Sequence, residues 1–291
     1  MLRACLLALI IGLPSLASAA EIAPANVMPV ARASSGVFDA LKPLLDAREQ
    51  ESLGDFQNSF TNYGTVLLHD ADNIEALFGL ANSALKLGKG EMATKAYSRL
   101  SRLNLTAAQK TEQFTGQTLA DVMTGALTDP EAGLKTALKT APNDHRLWNA
   151  LGQHYDSQKK WTQSWDAYQR AEKAGFSTAG LHNNLGMSFL AQKKYRGAIS
   201  HFKYAVNLAS KNTQYKNNYR FALLVNGDYR AALEGVSDND AGMFLGDAGL
   251  IAMQREDYVL ARILLKKAIE ISPSYNARAS KTLDALEARH N

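Results

Sequence analysis

The stretch LGQHYDSQKKWTQSWDAYQRA, residues 151–171, returns 34 residues later in altered form as LGMSFLAQKKYRGAISHFKYA, residues 185–205. Small and aromatic residues keep the same phase in both copies. The matching positions are Leu151-Gly152 with Leu185-Gly186, Tyr155 with Phe189, Trp161 with Tyr195 and Tyr229, Tyr168 with Phe202, and Ala171 with Ala205. A fixed period of this length, with small and aromatic residues in phase, is typical of a helical solenoid.

The period resembles the tetratricopeptide repeat, a helix-turn-helix unit of 34 residues. The resemblance predicts an all-α fold at residues 37–291, a right-handed α-solenoid of stacked repeats closed by a C-terminal capping helix. One repeat cannot bury its apolar face alone, so the core forms only when neighbours stack. The predicted repeats are residues 40–73, 74–107, 111–144, 145–178, 179–212, 213–241 (truncated) and 242–275.

The recurring small and aromatic residues suggest how each repeat packs. A glycine near the centre of the first helix, such as Gly152 or Gly186, lets the second helix approach closely. Alanines in the second helix allow the same approach from the other side, and an aromatic ring fills the space between. Trp148 and Trp165 lie in a well-matched repeat, so we expect both to pack in the core.

The N-terminus has the pattern of a secretory signal peptide at residues 1–19. Arg3 is followed by the short apolar run of residues 6–13, then by Pro14, and residues 17–19 are small, as signal peptidase requires. The apolar run is shorter than the roughly 20 residues of a membrane-spanning helix. We therefore expect export to the periplasm, with a flexible leader at residues 20–36.

The cysteine content limits the chemistry of the exported chain. Cys5 is the only cysteine, and it precedes the apolar run of the signal, whereas a lipoprotein cysteine would follow that run. Loss of the signal would remove it, which excludes disulfides, thiol nucleophiles and cysteine metal sites from the mature protein. The 46% of hydrophobic residues must then supply the stability through an apolar core.

No pattern of an enzyme or of a nucleic-acid-binding protein is present. The six histidines show no HExxH spacing for zinc, and neither a G-x-S-x-G elbow nor a phosphate-binding loop occurs. The net charge of +4 comes from scattered basic residues without interleaved aromatics, so nucleic acid is not an expected partner. We predict a non-enzymatic protein without cofactor or metal.

Three asparagines, Asn149, Asn183 and Asn217, share one phase of the first helices. The resemblance implies that first helices line a concave groove, and we expect these amides to be exposed there. Because an amide both donates and accepts hydrogen bonds, a row of them could hold the backbone of an extended peptide. The neighbours expected to add charge and apolar selectivity are Arg146, Gln153, Asp156, Met187, Gln214 and Phe221.

A second interpretation of the asparagine row is that its members are solvated helix positions without a ligand, as exposed polar residues on repeats often are. The next asparagines along the chain, Asn184 and Asn218, are expected to pack between helices instead.

The last repeats resemble a narrower family. The order is Asn183-Asn184-Leu185-Gly186, then Asn217-Asn218-Tyr219, then a truncated repeat, then Ile271-Ser272-Pro273-Ser274-Tyr275 before a final helix. It is similar to the TadD-type proteins of tight-adherence (Flp) pilus assembly. Members of that family are envelope proteins, often lipoproteins, which support assembly of the outer-membrane secretin or of another pilus component. This chain lacks the lipidated cysteine.

The resemblance implies a scaffold or chaperone that binds a protein or an extended peptide, such as a secretin or another pilus-assembly subunit, and that meets a membrane only through such a complex. A periplasmic adaptor for cell-wall or exopolysaccharide machinery is the alternative, because it would use the same groove on a different partner. A regulatory repeat domain of an enzyme complex is a third reading of the same pattern.

Overall fold

A computed structural model describes residues 36–175, 178–254, 256–271 and 276–288. The predicted signal peptide and nearly all of the predicted leader lie outside these residues. Within them the secondary structure consists of fifteen α-helices and no strands. The helices are α1 (Gly36–Ser52), α2 (Phe56–His69), α3 (Ile74–Lys86), α4 (Gly90–Leu100), α5 (Ala107–Thr124), α6 (Pro130–Thr140), α7 (His145–Ser157), α8 (Trp161–Lys173), α9 (Ala179–Ala191), α10 (Tyr195–Leu208), α11 (Thr213–Asn226), α12 (Tyr229–Ala232), α13 (Asp238–Gln254), α14 (Tyr258–Ile271) and α15 (Asn276–Ala288).

The helices pack as consecutive pairs, and the chain divides into two compact units near residue 176. In the first unit, α1, α3, α5 and α7 also contact one another in series, so the first helices of the pairs form a layer of their own. The second unit repeats this arrangement, with α9 against α11 and α13 against α15. Pairs of antiparallel helices that stack in this way are the all-α solenoid architecture that the period predicts.

Side-chain caps define where many of these helices begin. A side-chain oxygen just before the helix accepts a hydrogen bond from a backbone N–H of the first turn, which would otherwise lack a partner. At α5, Thr106 and Gln109 cap each other reciprocally. The other capping residues that act through a side-chain oxygen are Asp55, Asn73, Asp129, Asp144, Thr178 and Asn212.

The turn between the two helices of a pair needs a residue with positive φ. Gly88 has φ 71° and Gly227 has φ 92°, a conformation that glycine adopts without a steric penalty. Lys159 (φ 58°) and Lys193 (φ 59°) hold the same place in the two best-matched repeats. The lysine pairs of these two repeats therefore lie at the turns.

Small residues under aromatic rings set the distance between paired helices. A Cβ atom added to Gly152 would lie 2.6 Å from the ring of Tyr168, and one added to Gly186 would lie 2.6 Å from the ring of Phe202. Both rings are almost completely buried. Since real Cβ atoms do not approach carbon atoms so closely, only glycine permits this helix separation. The predicted packing of small against aromatic residues is confirmed here.

α1 begins at Gly36, next to the predicted start of the helical region at residue 37, and α13 begins at Asp238, four residues before residue 242. Trp165 is 39% exposed, so its expected place in the core is wrong. Trp148 is half-buried, and its indole N–H donates to the carbonyl of Pro142 at 2.8 Å. Among the described helices, none combines the length and apolar character that a membrane crossing would need.

We predict that Gly186→Ala lowers the free energy of unfolding by about 1–3 kcal/mol, because the buried ring of Phe202 cannot move away from the new methyl group. Gly180→Ala in the same helix is the matched control, since its added Cβ would meet nothing closer than 3.6 Å. That control should be neutral or stabilise by up to about 1 kcal/mol. Urea unfolding of both variants measures the difference, and equal effects would contradict the packing account.

Candidate partner-binding surface

An ion-paired cluster links two first helices of the first unit, α5 and α7. The guanidinium of Arg146, on α7, donates to both carboxylate oxygens of Glu112, on α5, at 2.7 and 2.8 Å. It also donates to Asp144 at 2.6 Å, and Asp144 accepts from the backbone N–H of Arg146 at 2.9 Å. Glu112 and Arg146 are 34 residues apart, so they hold equivalent positions in neighbouring repeats.

The charges of this cluster support one another. Burial acts to raise the pKa of Asp144, but hydrogen bonds and the positive charge of Arg146 hold that pKa below its ordinary value of 3.8. The same contacts raise the pKa of Arg146 despite its burial, so the guanidinium stays charged. Bidentate guanidinium–carboxylate pairs are among the stronger polar contacts in proteins. The cluster therefore fixes Arg146 in place rather than leaving it free to meet a ligand.

Lys86, at the end of α3, adds a cation near this cluster. Lys86 is accessible to solvent, but partial desolvation and then the positive charge of Arg146 lower its pKa. At the other end of α3, Arg48 of α1 forms an ion pair with both oxygens of Glu75. Sequence reasoning named Arg146 but missed Glu112, Lys86 and Arg48. The opposite charges at 34-residue spacing were the available signal for Glu112.

The asparagine row is not uniformly exposed, which corrects the expectation for Asn183. Asn183 is 3% exposed, and its side-chain oxygen accepts a hydrogen bond of 2.8 Å from the Nδ2 group of Asn218. The two residues lie on α9 and α11, 35 positions apart. A buried amide needs such a partner, because leaving its polar groups unpaired costs about 1–3 kcal/mol. Asn218 packs between helices as expected.

Three of the expected neighbours are also buried, which corrects their assignment to an exposed groove. Asp156 lies beneath α8 and accepts a hydrogen bond of 2.9 Å from the hydroxyl of Tyr168. Met187 and Phe221 belong to the apolar core of the second unit. Each side chain is enclosed by other helices and is therefore not available to a ligand in a groove.

The remaining predicted residues stay accessible to different degrees. Gln153 on α7 and Asn217 on α11 are exposed, whereas Asn149, Arg146 and Gln214 are half-buried. Gln153 and Asn149 belong to the first unit, and Asn217 and Gln214 to the second. Each unit thus offers amide groups on its own first helices, and their contact with a partner stays a prediction.

A histidine pair in the second unit was not visible from sequence spacing. His182 of α9 and His201 of α10 lie with their Nδ1 atoms 3.2 Å apart and their rings stacked. Tyr204 packs on His182, and Phe189 stacks on His201. In the part of the chain that the structure describes, no group of three histidine, cysteine or acidic side chains is placed to hold a metal ion.

Comparison with solved structures gives the fold. A thermophilic TPR protein from Thermus thermophilus is 20% identical over 64% of this chain and 99% of its own, with a TM-score of 0.51. The human IFIT1 dimer with m7Gppp-AAAA is 19% identical over 85% of this chain, with a TM-score of 0.58. This chain has the tetratricopeptide-repeat fold. At such identities the likeness shows the fold alone.

The same comparisons limit what can be transferred. This chain covers 63% of the human IFIT1 chain and 42% of the chain that it matches in the APC/C hetero-tetramer Cut9–Hcn1, where the identity is 17% and the TM-score is 0.50. No protein-family model matches the sequence, and no curated protein matches it significantly.

We predict that Asn218→Ala lowers the free energy of unfolding by about 1–3 kcal/mol, because it leaves the buried oxygen of Asn183 without its donor. The adjacent Asn217→Ala changes an exposed residue and should alter stability by less than about 0.5 kcal/mol. Chemical denaturation of the two variants separates the structural asparagine from the accessible one. If both variants lowered the free energy of unfolding equally, the hydrogen bond between Asn218 and Asn183 would not stabilise the fold as proposed.

We also predict that Arg146→Ala lowers the free energy of unfolding by about 2–4 kcal/mol near pH 7, since two carboxylates lose their cation. The folded pKa of Asp144 is depressed, so its stabilisation is present above the ordinary pKa and disappears as the pH falls through the folded value. The difference between wild type and variant should therefore shrink below about pH 4. Arg99→Ala, which breaks an exposed pair with Asp72, is the control and should cost less than about 1 kcal/mol. If the stability difference between wild type and Arg146→Ala stayed constant with pH, the proposed role of the ion pair with Asp144 would be contradicted.

Proposed function

We propose that this protein is a non-enzymatic interaction scaffold of the bacterial cell envelope that binds a partner segment on its first helices and so supports tight-adherence pilus or secretin assembly. The observation that carries the proposal is the layer of first helices, which in each unit lie side by side and present polar groups from neighbouring repeats. Such a surface favours binding over chemistry, because it offers many aligned contacts to an extended ligand.

The accessible groups of the first unit suit a peptide backbone with some charge. Gln153 can donate and accept hydrogen bonds without regard to the ligand's sequence. Lys86, exposed at the end of α3, adds positive charge, whereas Arg146 is held by Glu112 and Asp144. An extended segment that carries both polar and acidic residues would complement this pattern. In the second unit, Asn217 is the corresponding exposed amide.

The envelope location and the pilus role rest on the sequence. The signal pattern at residues 1–19 supports export, and the order of motifs between residues 179 and 286 resembles TadD-type proteins. The missing lipoprotein cysteine supports a periplasmic protein that reaches the outer membrane through its complex rather than by an anchor of its own. The missing cysteine is also compatible with the alternative function, a periplasmic adaptor for cell-wall or exopolysaccharide machinery.

Site-specific photo-crosslinking in cells tests both the surface and the partner. A photoreactive amino acid replaces Gln153, exposed on the first helix α7, and in a matched variant it replaces Gln163, exposed on the second helix α8. The proposal predicts that a secretin or pilus-assembly subunit is captured from position 153 and at least about fivefold less from position 163, since only the first helix faces the partner.

The possible products separate the two functions. Capture of cell-wall or polysaccharide enzymes from position 153 would support the adaptor and contradict the pilus role. Equal capture from both positions would contradict binding on the first helices. Measured turnover of a substrate that a single substitution abolishes would overturn the non-enzymatic assignment.

A further inference from the structure

One repeat lacks most of its second helix. α12, Tyr229–Ala232, has four residues, whereas the other second helices have between 11 and 14. A helix rises 1.5 Å per residue, so about nine missing residues leave about 14 Å of α11 without its usual partner. The chain goes directly from this short helix to α13, which begins at Asp238.

The residues of α11 fit this incomplete repeat. Arg220 lies 34 positions after Gly186, and at both Gly152 and Gly186 an aromatic ring packs on the glycine. The residue that would hold the place of Phe202 is Val236, which lies beyond the end of α12. No helix of this repeat therefore covers that position, and a long charged side chain can occupy it. Lys216, one turn earlier on α11, is exposed.

An open concavity lies beside the short helix. Its volume is about 800 Å³, and it is lined by Gly227, Asp228, Tyr229, Arg230, Ala231 and Glu234. Tyr229 is half-buried, and the ammonium of Lys267 on α14 lies 5.5 Å from its ring centre. The hollow thus lies along the short helix and the turn before it, with helices α11 and α14 close to α12.

The helices around this place carry an unusual concentration of positive charge. Residues 173–227 contain no aspartate or glutamate, and residues 178–227 carry a formal charge of +7, against +4 for the whole chain. Six of the seven cations are exposed and Arg220 is half-buried. None forms an ion pair with a residue that the structure describes. The seven are Lys193, Lys194, Arg196, Lys203, Lys211, Lys216 and Arg220.

We propose that α10, α11 and α12 bind an acidic amphipathic helix of a protein partner, which takes the place of the missing second helix. The part of α11 that lacks a second-helix partner is long enough for a bound helix of a few turns. The unpaired cations, Lys203 on α10 and Lys216 and Arg220 on α11, select acidic side chains on that helix. Asp228 and Glu234 line the hollow beside the short helix, and neither lies on α10 or α11. This site lies on the second-helix side of the repeats and does not depend on the proposed first-helix surface.

A designed peptide serves as the probe. It has about 12 residues, the length of the complete second helices, with leucines along one face and glutamates along the other. Its matched control has glutamine at every glutamate position. Fluorescence anisotropy with the full chain should show binding of the glutamate peptide that weakens as salt is raised, because screening reduces the attraction between exposed charges. The glutamine peptide should bind at least about tenfold more weakly.

Charge-changing variants locate the site. The combined variant Lys203→Glu, Lys216→Glu and Arg220→Gln should raise the Kd of the glutamate peptide at least about tenfold. The control variant Lys95→Glu, Lys110→Glu and Lys139→Gln changes three exposed cations of the other unit by the same total charge and should change the Kd less than about twofold. Thermal melts verify that both variants fold. Should the first fail to fold, the comparison of the two peptides on the wild-type chain still tests the proposal.

Other outcomes overturn it. Equal binding of the two peptides, or equal loss in both variants, would show that the basic face does not select an acidic helix. Suppose that the glutamate peptide does not bind, and that the wild-type chain but not the site variant floats with phosphatidylglycerol vesicles. The face would then be assigned to anionic lipid. If the peptide does not bind and the chain forms a concentration-dependent dimer that the site variant abolishes, the face would be assigned to a second copy of the chain.

Discussion

The close approach of a glycine to a bulky side chain of a neighbouring helix recurs along the chain and fixes how the helices pack. Gly186 lies directly beneath Phe202, and Gly152 lies beneath Tyr168, 16 residues later along the chain in both cases. Because the ring is fully enclosed, the two helices of the pair can adopt only one separation. That separation determines how the next first helix packs against the pair, so the contact in one repeat sets the geometry of its neighbour. Interior substitutions that add volume should therefore affect more than one repeat.

The truncated repeat shows what happens when the contact is absent. Arg220 occupies the position in α11 that corresponds to Gly186, and the residue that corresponds to Phe202 is Val236, beyond the end of α12. In a stack where each repeat is stabilised by its neighbours, such a break reduces local stability without preventing the fold. Lys216, one turn before Arg220 on α11, is exposed beside this break. The weak point of the scaffold and its most distinctive surface are thus the same part of the chain.

Sequence reasoning succeeded where a residue's environment repeats every 34 positions. Gly186, Phe202 and the fold class could be predicted because the same contact recurs in several repeats. Burial of Asn183 could not, because its partner Asn218 is 35 positions away and belongs to the next repeat. Exposure of Trp165 was missed for a related reason, since a residue in a regular repeat can still lie on the outer side of its helix. The 34-residue period identifies which helices pair. Which side chains are exposed depends instead on contacts between repeats, and the period does not show these.

Native-state hydrogen exchange is the most direct test of the claim that the small-residue contact holds each repeat together. The account predicts that amides around Gly186 in α9 exchange only through openings close to global unfolding of their unit. Amides around Arg220 in α11, where the contact is missing, should exchange through openings that require about 2 kcal/mol less. Equal protection of the two segments, with the same denaturant dependence, would contradict the account.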